Sequence, residues 1–226
     1  MAKTINIAID GPAGAGKSTI ARRLAKEMGY YYVDTGAIYR TVAYFLDLLG
    51  ISPKDADGVE RCLDELTVEI EYDEEGKQHM LMNGMDVTDD IRTPDISQKA
   101  SLVSAHAIVR DMLLDMQRDV AKKHNVIMDG RDIGTVVLPR ATVKIFLTAS
   151  AEVRAQRRTD EMLAKGQKAN FQQVLKDIQQ RDYQDTHREI APLKRAKDAV
   201  LLDTSELDID GVIAAMKDII AKKVSL

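Results

Sequence analysis

The feature that most constrains this chain is a glycine-rich octapeptide at residues 11–18, GPAGAGKS, which fits the pattern G-x-x-x-x-G-K-[ST]. Residues 4–9 before it read as a buried strand, and residues 18–28 after it as an amphipathic helix that Gly29 ends. Glycines in this strand–loop–helix context let backbone N–H groups converge on phosphate oxygens at the positive end of a helix. A plain helix-capping turn does not require all eight positions, so we predict a loop that binds a nucleoside triphosphate.

The residues expected to contact the triphosphate lie in this loop and in the first helical turn: Gly11, Pro12, Ala13, Gly14, Ala15, Gly16, Lys17, Ser18 and Thr19. In such loops the lysine supplies a charge to the β- and γ-phosphates, and the hydroxyl of the last residue is a ligand of Mg²⁺. Lys17 and Ser18 are therefore predicted to do so here.

The remaining pattern predicts an α/β protein with a central parallel sheet flanked by helices. Further strands are predicted at residues 30–33, 125–128, 143–147 and 199–202. Asp34-Thr35-Gly36 is interpreted as a turn before a helix at 37–49, and residues 129–132 as a loop. A helical stretch at 93–123 is expected to break near His106, and further helices are expected from about Ala151, at 171–188 and at 209–222, with a mobile break at 165–168.

One segment departs from this pattern. Apolar and polar residues alternate along residues 67–72, as in a strand. Two further short strands are predicted at 79–82 and 85–87, and Asn83-Gly84 between them is a strong hairpin signal. We predict a small antiparallel sheet inserted into the parallel fold.

Composition excludes several classes of protein. The chain has 226 residues and a net charge of −4, with three phenylalanines and no tryptophan, which disfavours a nucleic-acid-binding ATPase. Cys62 is the sole cysteine, and the four histidines are scattered, so no cysteine- or histidine-based metal site is expected. The N-terminal segment lacks signal-peptide character, and no window approaches the ~20 apolar residues of a membrane span. We therefore expect a soluble, cytoplasmic protein that binds neither nucleic acid nor membrane.

Arginines supply the second functional signal. Arg154, Arg157 and Arg158 are spaced to share a helical face, as are Arg181, Asp185 and Arg188. Arg40 follows the Asp34-Thr35-Gly36 turn, and Arg131-Asp132 follows a central strand, at the sheet edge where α/β proteins bind ligands. A single arginine is more often a solvated surface charge, but this set in an acidic chain predicts a second anion site.

These features favour phosphoryl transfer to a phosphorylated acceptor. An acceptor phosphate is already largely ionised at neutral pH, so the reaction needs alignment and charge stabilisation rather than a general base. A GTPase-like switch would carry an N-K-x-D signature after a strand, and the sequence has none. Other small-acceptor P-loop kinases (UMP/CMP, adenylate or shikimate kinases) stay open at this point.

Six segments, in order and spacing, resemble the bacterial cytidylate kinase family: IAIDGPAGAGKSTIA, DTGAIYR, IRTPDIS, DGRDIGTVVLP, VKIFLTASAEVRAQRR and QQRDYQDTHREIAPL. The resemblance runs nearly end to end. It implies a single domain, 1–226, that transfers the γ-phosphoryl group of ATP to CMP or dCMP with Mg²⁺, as a monomer. It also implies a monophosphate-binding insertion at about residues 63–99 and a short LID at about 154–168.

The resemblance further assigns roles to single residues. Contacts to the cytosine ring are implied for Thr35, Ser101, Arg110 and Asp132, and contacts to the sugar for Arg181 and Asp185. Arg40, Arg131 and Arg188 fall near the monophosphate, and Arg157 and Arg158 fall where LID arginines reach the triphosphate. Catalytic charge stabilisation is thus expected from Lys17, Arg131, Arg157, Arg158 and Arg188, and Asp129 is expected to orient Mg²⁺ through water. The family often has serine where this chain has Thr35, a change that keeps the hydroxyl.

Overall fold

The computed structural model describes residues 4–224 and contains two sheets. The larger is parallel, with five strands in the order β2-β6-β1-β7-β8. Its strands are β1 (Asn6–Asp10), β2 (Tyr31–Asp34), β6 (Val126–Gly130), β7 (Val143–Thr148) and β8 (Val200–Asp203). The smaller sheet is antiparallel, in the order β3-β4-β5, with β3 (Val68–Tyr72), β4 (Gln78–Met82) and β5 (Met85–Asp86).

Helices cover both faces of the parallel sheet. They are α1 (Lys17–Met28), α2 (Thr35–Leu48), α3 (Ala56–Cys62), α4 (Pro94–Val103), α5 (Ala107–Lys123), α6 (Ala151–Ala164), α7 (Phe171–His187) and α8 (Ile209–Val224). Short 3₁₀ turns lie at Leu63–Glu65 and Asp90–Arg92, and a π-helical turn at Ile133–Val137. None of the helices within residues 4–224 is long and apolar enough to cross a membrane.

The alternation of side chains along β1 divides the core into two. Ile7 and Ile9 are fully buried in the cluster formed with α1 and α8, whereas Ala8 belongs to the cluster formed with α2, α4 and α5. In the parallel register Asp10 lies beside Gly130, and Asp34 lies beside Asp129. The carboxyl ends of β1, β2 and β6 therefore bring their polar residues to one edge of the sheet.

The predicted fold class is confirmed, including the inserted antiparallel sheet and the helix break near His106, which separates α4 from α5. The predicted turn at Asp34-Thr35-Gly36 was wrong. Asp34 ends β2 and accepts a 2.9 Å hydrogen bond from Ala37 N, so α2 begins at Thr35 rather than at residue 37. The predicted 129–132 loop was partly wrong, because Asp129 and Gly130 are the last residues of β6.

Candidate active site

The glycine loop is built as the motif predicts. Gly11 follows β1 so closely beside β7 that a Cβ on it would lie 1.9 Å from the carbonyl oxygen of Leu147. Gly16 has φ 83°, in the left-handed region that favours glycine. It is the residue before α1, and no side chain caps the helix there. The first N–H groups of α1 are thus left for an anion at the positive end of the helix.

Lys17 lies buried behind this loop. Its Nζ donates a 2.7 Å hydrogen bond to the carbonyl oxygen of Pro12. The pKa of Lys17 is lowered to about 7, first by burial and then by the nearby charge of Arg131, while Asp129 and Asp185 oppose the shift. An anion bound in the loop would compensate the buried ammonium group.

Asp129 joins the loop to the neighbouring strands. Its carboxylate accepts hydrogen bonds from Ser18 Oγ (2.9 Å) and from the hydroxyl of Tyr32 (2.8 Å). Its backbone carbonyl accepts a 2.7 Å bond from Thr35 Oγ1. The structure therefore brings together Ser18 and Asp129, the two residues expected near Mg²⁺. Burial raises the pKa of Asp129. Tyr32 was missed by the sequence analysis, because the strand pattern gives no sign of which hydroxyl meets a carboxylate.

Three arginines converge beside Lys17. Arg131 Nε donates a 2.7 Å bond to Asp185, and Arg40 Nη2 donates a 3.0 Å bond to Asp34. The pKa of Arg181 is lowered to about 10. Burial is the largest cause, the charge of Arg131 is the next largest that lowers it, and the charge of Arg40 adds a smaller amount. Within residues 4–224, the buried Nε atoms of Arg40 and Arg181 have no hydrogen-bond partner. Buried donors of this kind are costly unless an acceptor binds them, so the cluster is suited to an anion.

Asp132 is the centre of a second group. Its carboxylate pairs with Arg110 and, at 3.4 Å, with Arg188 Nη2. Ser104 ties the two arginines together, since its carbonyl accepts from Arg110 and its hydroxyl from Arg188, both at 3.2 Å. Arg188, expected near the monophosphate, thus lies with the residues expected around the base. Ser104 was missed, since a serine at a helix end carries no functional signal.

A cleft of about 270 Å³ lies between the end of α4 and α7. Its lining includes Ser101, Asp185 and Arg188, three residues expected to contact the acceptor. Ser101, Asp185 and Arg188 therefore line the same cleft.

The π-helical turn after Asp132 is fixed by a residue that the sequence analysis did not single out. Asp10 is buried at the end of β1 and accepts bonds from the N–H groups of Ile133 (2.7 Å) and Gly134 (2.8 Å). The residue before the glycine loop therefore also sets the backbone that presents Asp132.

Asp10 gives the fold a pH dependence of defined sign. Burial raises the pKa of Asp10 from 3.8 to about 6, although its two N–H donors oppose the shift. Because the pKa of Asp10 is higher in the folded than in the unfolded state, its contribution to the free energy of unfolding is fully present below the unfolded pKa and is lost as pH rises through the folded pKa. We expect the free energy of unfolding to fall by on the order of 3 kcal/mol between about pH 4 and about pH 7, relative to Asp10→Asn. Urea unfolding at both pH values checks this, and parallel pH profiles for the two proteins would contradict it.

The arginines of α6 do not converge on one ligand surface. Arg154 is buried and donates to the carbonyl oxygens of Ala13 (3.0 Å) and Ala149 (2.9 Å). Arg157 instead donates to Thr204 O (2.6 Å), and Arg158 forms an exposed pair with Glu161 at 3.0 Å. The expected reach of Arg157 and Arg158 to the triphosphate stays a prediction.

Arg154 completes its shell with Asp182 of α7, at 3.1 and 2.7 Å. This bidentate pair joins the glycine loop, through Ala13, to the helix that carries Arg181 and Asp185. We expect Arg154→Met to raise the KM for ATP about tenfold, because the loop loses this support, and to lower the melting temperature. Arg154→Lys should recover only part of the loss, since a lysine lacks the bidentate geometry. Steady-state kinetics against ATP check this; an unchanged KM would show that the clamp does not shape the loop.

The fold and the site together define a P-loop kinase, with the glycine loop before α1 and a separate arginine cluster beside it. The sequence model of the family described as Cytidylate kinase matches residues 7–222. The chain therefore belongs to the cytidylate kinase family.

Individual relatives of known family also support this membership. The cytidylate kinase of Carboxydothermus hydrogenoformans is 50% identical over 219 residues, covering 97% of this chain and 98% of its own length. That of an Exiguobacterium species is 47% identical over 220 residues, with 97% and 98% coverage. Among solved structures, the shikimate kinase of Bacteroides thetaiotaomicron covers 98% of this chain and 99% of its own, at 13% identity and a TM-score of 0.47, too distant to bear on the acceptor. Family membership thus decides against the shikimate kinase, adenylate kinase and binding-switch alternatives.

Proposed function

We propose that this kinase transfers the γ-phosphoryl group of ATP to CMP or dCMP, giving ADP and CDP or dCDP. Membership of the cytidylate kinase family names the acceptor. The single observation that supports the mechanism is the pair of buried Nε atoms of Arg40 and Arg181 that have no partner within the described residues. The charge of Arg181 acts on Lys17, and that of Arg40 acts on Arg181. Two anion sites so close suit two phosphates brought head to head.

On the donor side, residues 11–19 hold the triphosphate. Backbone N–H groups at the start of α1 and the ammonium group of Lys17 face the phosphate oxygens. Lys17 is held ready by Pro12 O, a neutral acceptor that it exchanges for phosphate. The negative charge that spreads over the transferred group is then met by Lys17 and the neighbouring Arg131, and Arg157, Arg158 and Arg188 are assigned to the same role.

Ser18 and Asp129 fit a site for Mg²⁺. Within residues 4–224 no group of three or more His, Cys, Asp or Glu side chains could hold a metal by itself. Mg²⁺ commonly takes only one or two protein oxygens and completes its shell with water and substrate phosphates. The Ser18 hydroxyl and the Asp129 carboxylate, 2.9 Å apart, supply such oxygens. When bound, the ion neutralises phosphate charge.

On the acceptor side, the two arginine groups are suited to different parts of the nucleotide. Of the convergent group, Arg40 and Arg131 are suited to the monophosphate, and Arg181, with Asp185, to the sugar beside it. The Asp132 group is suited to the base, with Thr35, Ser101 and Arg110 as the assigned neighbours. A carboxylate can accept from the exocyclic amino group of cytosine, whereas uracil presents an acceptor there. Asp132 has lone pairs to spare for that contact beyond its two arginines.

We further propose two closing segments and a monomeric, cytoplasmic enzyme. The insertion at about 63–99 contains β3, β4 and β5. The LID at about 154–168 would comprise α6 from Arg154 onward and the exposed turn at Gly166. Closure would exclude water, which otherwise would compete as phosphoryl acceptor. Because Arg154 is fixed to the glycine loop, movement would begin beyond it. Sedimentation equilibrium tests the monomer.

A coupled ADP-release assay with ATP and Mg²⁺ tests the function, with CMP, dCMP, UMP, AMP and shikimate offered separately. We expect fast turnover with CMP and dCMP, slow turnover with UMP and none with AMP or shikimate. Turnover confined to AMP or shikimate would show that the donor loop is assigned correctly and the acceptor site is not.

A further inference from the structure

The inserted antiparallel sheet is fastened to one edge of the parallel sheet. β2 is the edge strand there, and its outer side is met by the small sheet at two points. The Tyr72 hydroxyl donates a 3.0 Å bond to the carbonyl oxygen of Tyr32. The buried amide of Gln78 accepts from Asp34 N at 2.7 Å and donates toward Asp34 O at 3.4 Å. Gln78 therefore satisfies both backbone groups of the last residue of β2, as a further strand would.

Asp34 transmits this contact to the acceptor site. One oxygen of its carboxylate accepts from Ala37 N at 2.9 Å and caps α2, and the other accepts from Arg40 Nη2 at 3.0 Å. The guanidinium group also lies against Gly36, where an added Cβ would come within 3.0 Å of Arg40 Nη1. Asp34 is thus the carboxylate that orients Arg40, and its backbone is held by Gln78.

We propose that Gln78 is a positioning residue for the phosphate end of the acceptor, acting through Asp34 on Arg40. This rests on the proposed function, in which Arg40 binds the monophosphate. The buried Nε of Arg40 has no partner within residues 4–224, so its direction depends on the Asp34 contact. When the amide of Gln78 is lost, Asp34 N becomes an unpaired buried donor, and the Asp34 backbone is free to relax and turn its carboxylate. The inserted sheet is then part of the acceptor site without touching the acceptor.

The test compares Gln78→Met with Tyr72→Phe. Methionine keeps the length of the side chain but removes both contacts to Asp34. Phenylalanine removes the other bond between the two sheets and leaves Asp34 untouched. We expect both variants to lower the melting temperature, but only Gln78→Met to raise the KM for CMP, by about tenfold, with the KM for ATP unchanged. Equal effects of the two variants on the KM for CMP would overturn the proposal, because Gln78 would then serve stability alone.

A double variant tests the route through Arg40. If Gln78 acts through Arg40, then adding Gln78→Met to Arg40→Met raises the KM for CMP no further than Arg40→Met alone. If the increases in the KM for CMP caused by the two substitutions multiply in the double variant, then Gln78 acts independently of Arg40, and the proposal is overturned.

Gln78→Glu supplies a variant of the same shape, for use also where Gln78→Met does not fold. When it is ionised, the carboxylate that this substitution introduces has no proton to donate and places a charged oxygen against the carbonyl oxygen of Asp34, whereas its protonated form again accepts from Asp34 N and donates to Asp34 O. The KM for CMP, relative to wild type at the same pH, should be raised at about pH 8 and recover toward about pH 5.5. A ratio independent of pH would overturn the proposal. Absence of CMP turnover by the wild type is a different outcome, and it would overturn the proposed function itself.

Discussion

Lys17→Met is expected to lower kcat by about 10³-fold, since one fixed charge aimed at the transferred phosphoryl group is lost. The fold should survive the change. Lys17 is buried and its pKa is lowered to about 7 by burial, so its charge is a burden to the folded state in the absence of phosphate. Removing that charge should leave the melting temperature equal to or above that of the wild type. Steady-state kinetics with CMP and thermal unfolding measure the two quantities.

Lys144→Met is the matched control. Lys144 is also a buried lysine that donates at 2.7 Å to the carbonyl oxygen of a proline five residues before it, Pro139, and it pairs with Asp198. It lies outside the proposed donor and acceptor sites, so its loss should lower stability while kcat stays within about threefold of wild type. A loss of kcat under about tenfold in Lys17→Met would contradict the role given to Lys17.

The parts of the fold that the sequence predicted are those that local signals specify. Residues 11–18 predict their loop because glycines at fixed spacing admit few backbones, and Asn83-Gly84 marks its hairpin by the φ values, 50° and 79°, that it adopts. The start of α2 was misplaced because Asp34 was interpreted as part of a turn rather than as the helix cap that it is. Helix α3 was missed, since its seven residues are too few to show a period.

The candidate site was predictable in its residue types but not in its pairings. Spacing along α6 suggested that Arg154, Arg157 and Arg158 act together. Instead, Arg158 pairs with Glu161 of its own helix, while tertiary partners at residues 13 and 182 hold Arg154 and a partner at residue 204 holds Arg157. Such partners lie between 28 and 141 residues away in sequence, a separation over which no local pattern carries information. The same holds for Gln78 and Asp34, 44 residues apart.

Asp132→Asn is expected to remove most of the preference for CMP over UMP. The Asp132 carboxylate is held by Arg110 and Arg188, and Arg188 also lines the α4–α7 cleft, a placement that fits recognition of a base edge. A carboxylate can only accept and so opposes the carbonyl of uracil, whereas an asparagine amide can donate to it. We expect kcat/KM for CMP to fall by about 10²-fold while that for UMP falls far less or rises, which the ADP-release assay measures with both acceptors.

Asp182→Asn separates this selectivity from the general effect of weakening a buried ion pair. Asp182 pairs with Arg154 at 2.7 Å, as Asp132 pairs with its arginines, but it supports the donor loop rather than the base pocket. Its replacement should lower turnover with CMP and UMP alike and leave their ratio unchanged. If Asp132→Asn also lowers both in proportion, then Asp132 serves only to hold Arg110 and Arg188. The base would in that case have to be read by other residues of the cleft, of which Ser101 is the first to test.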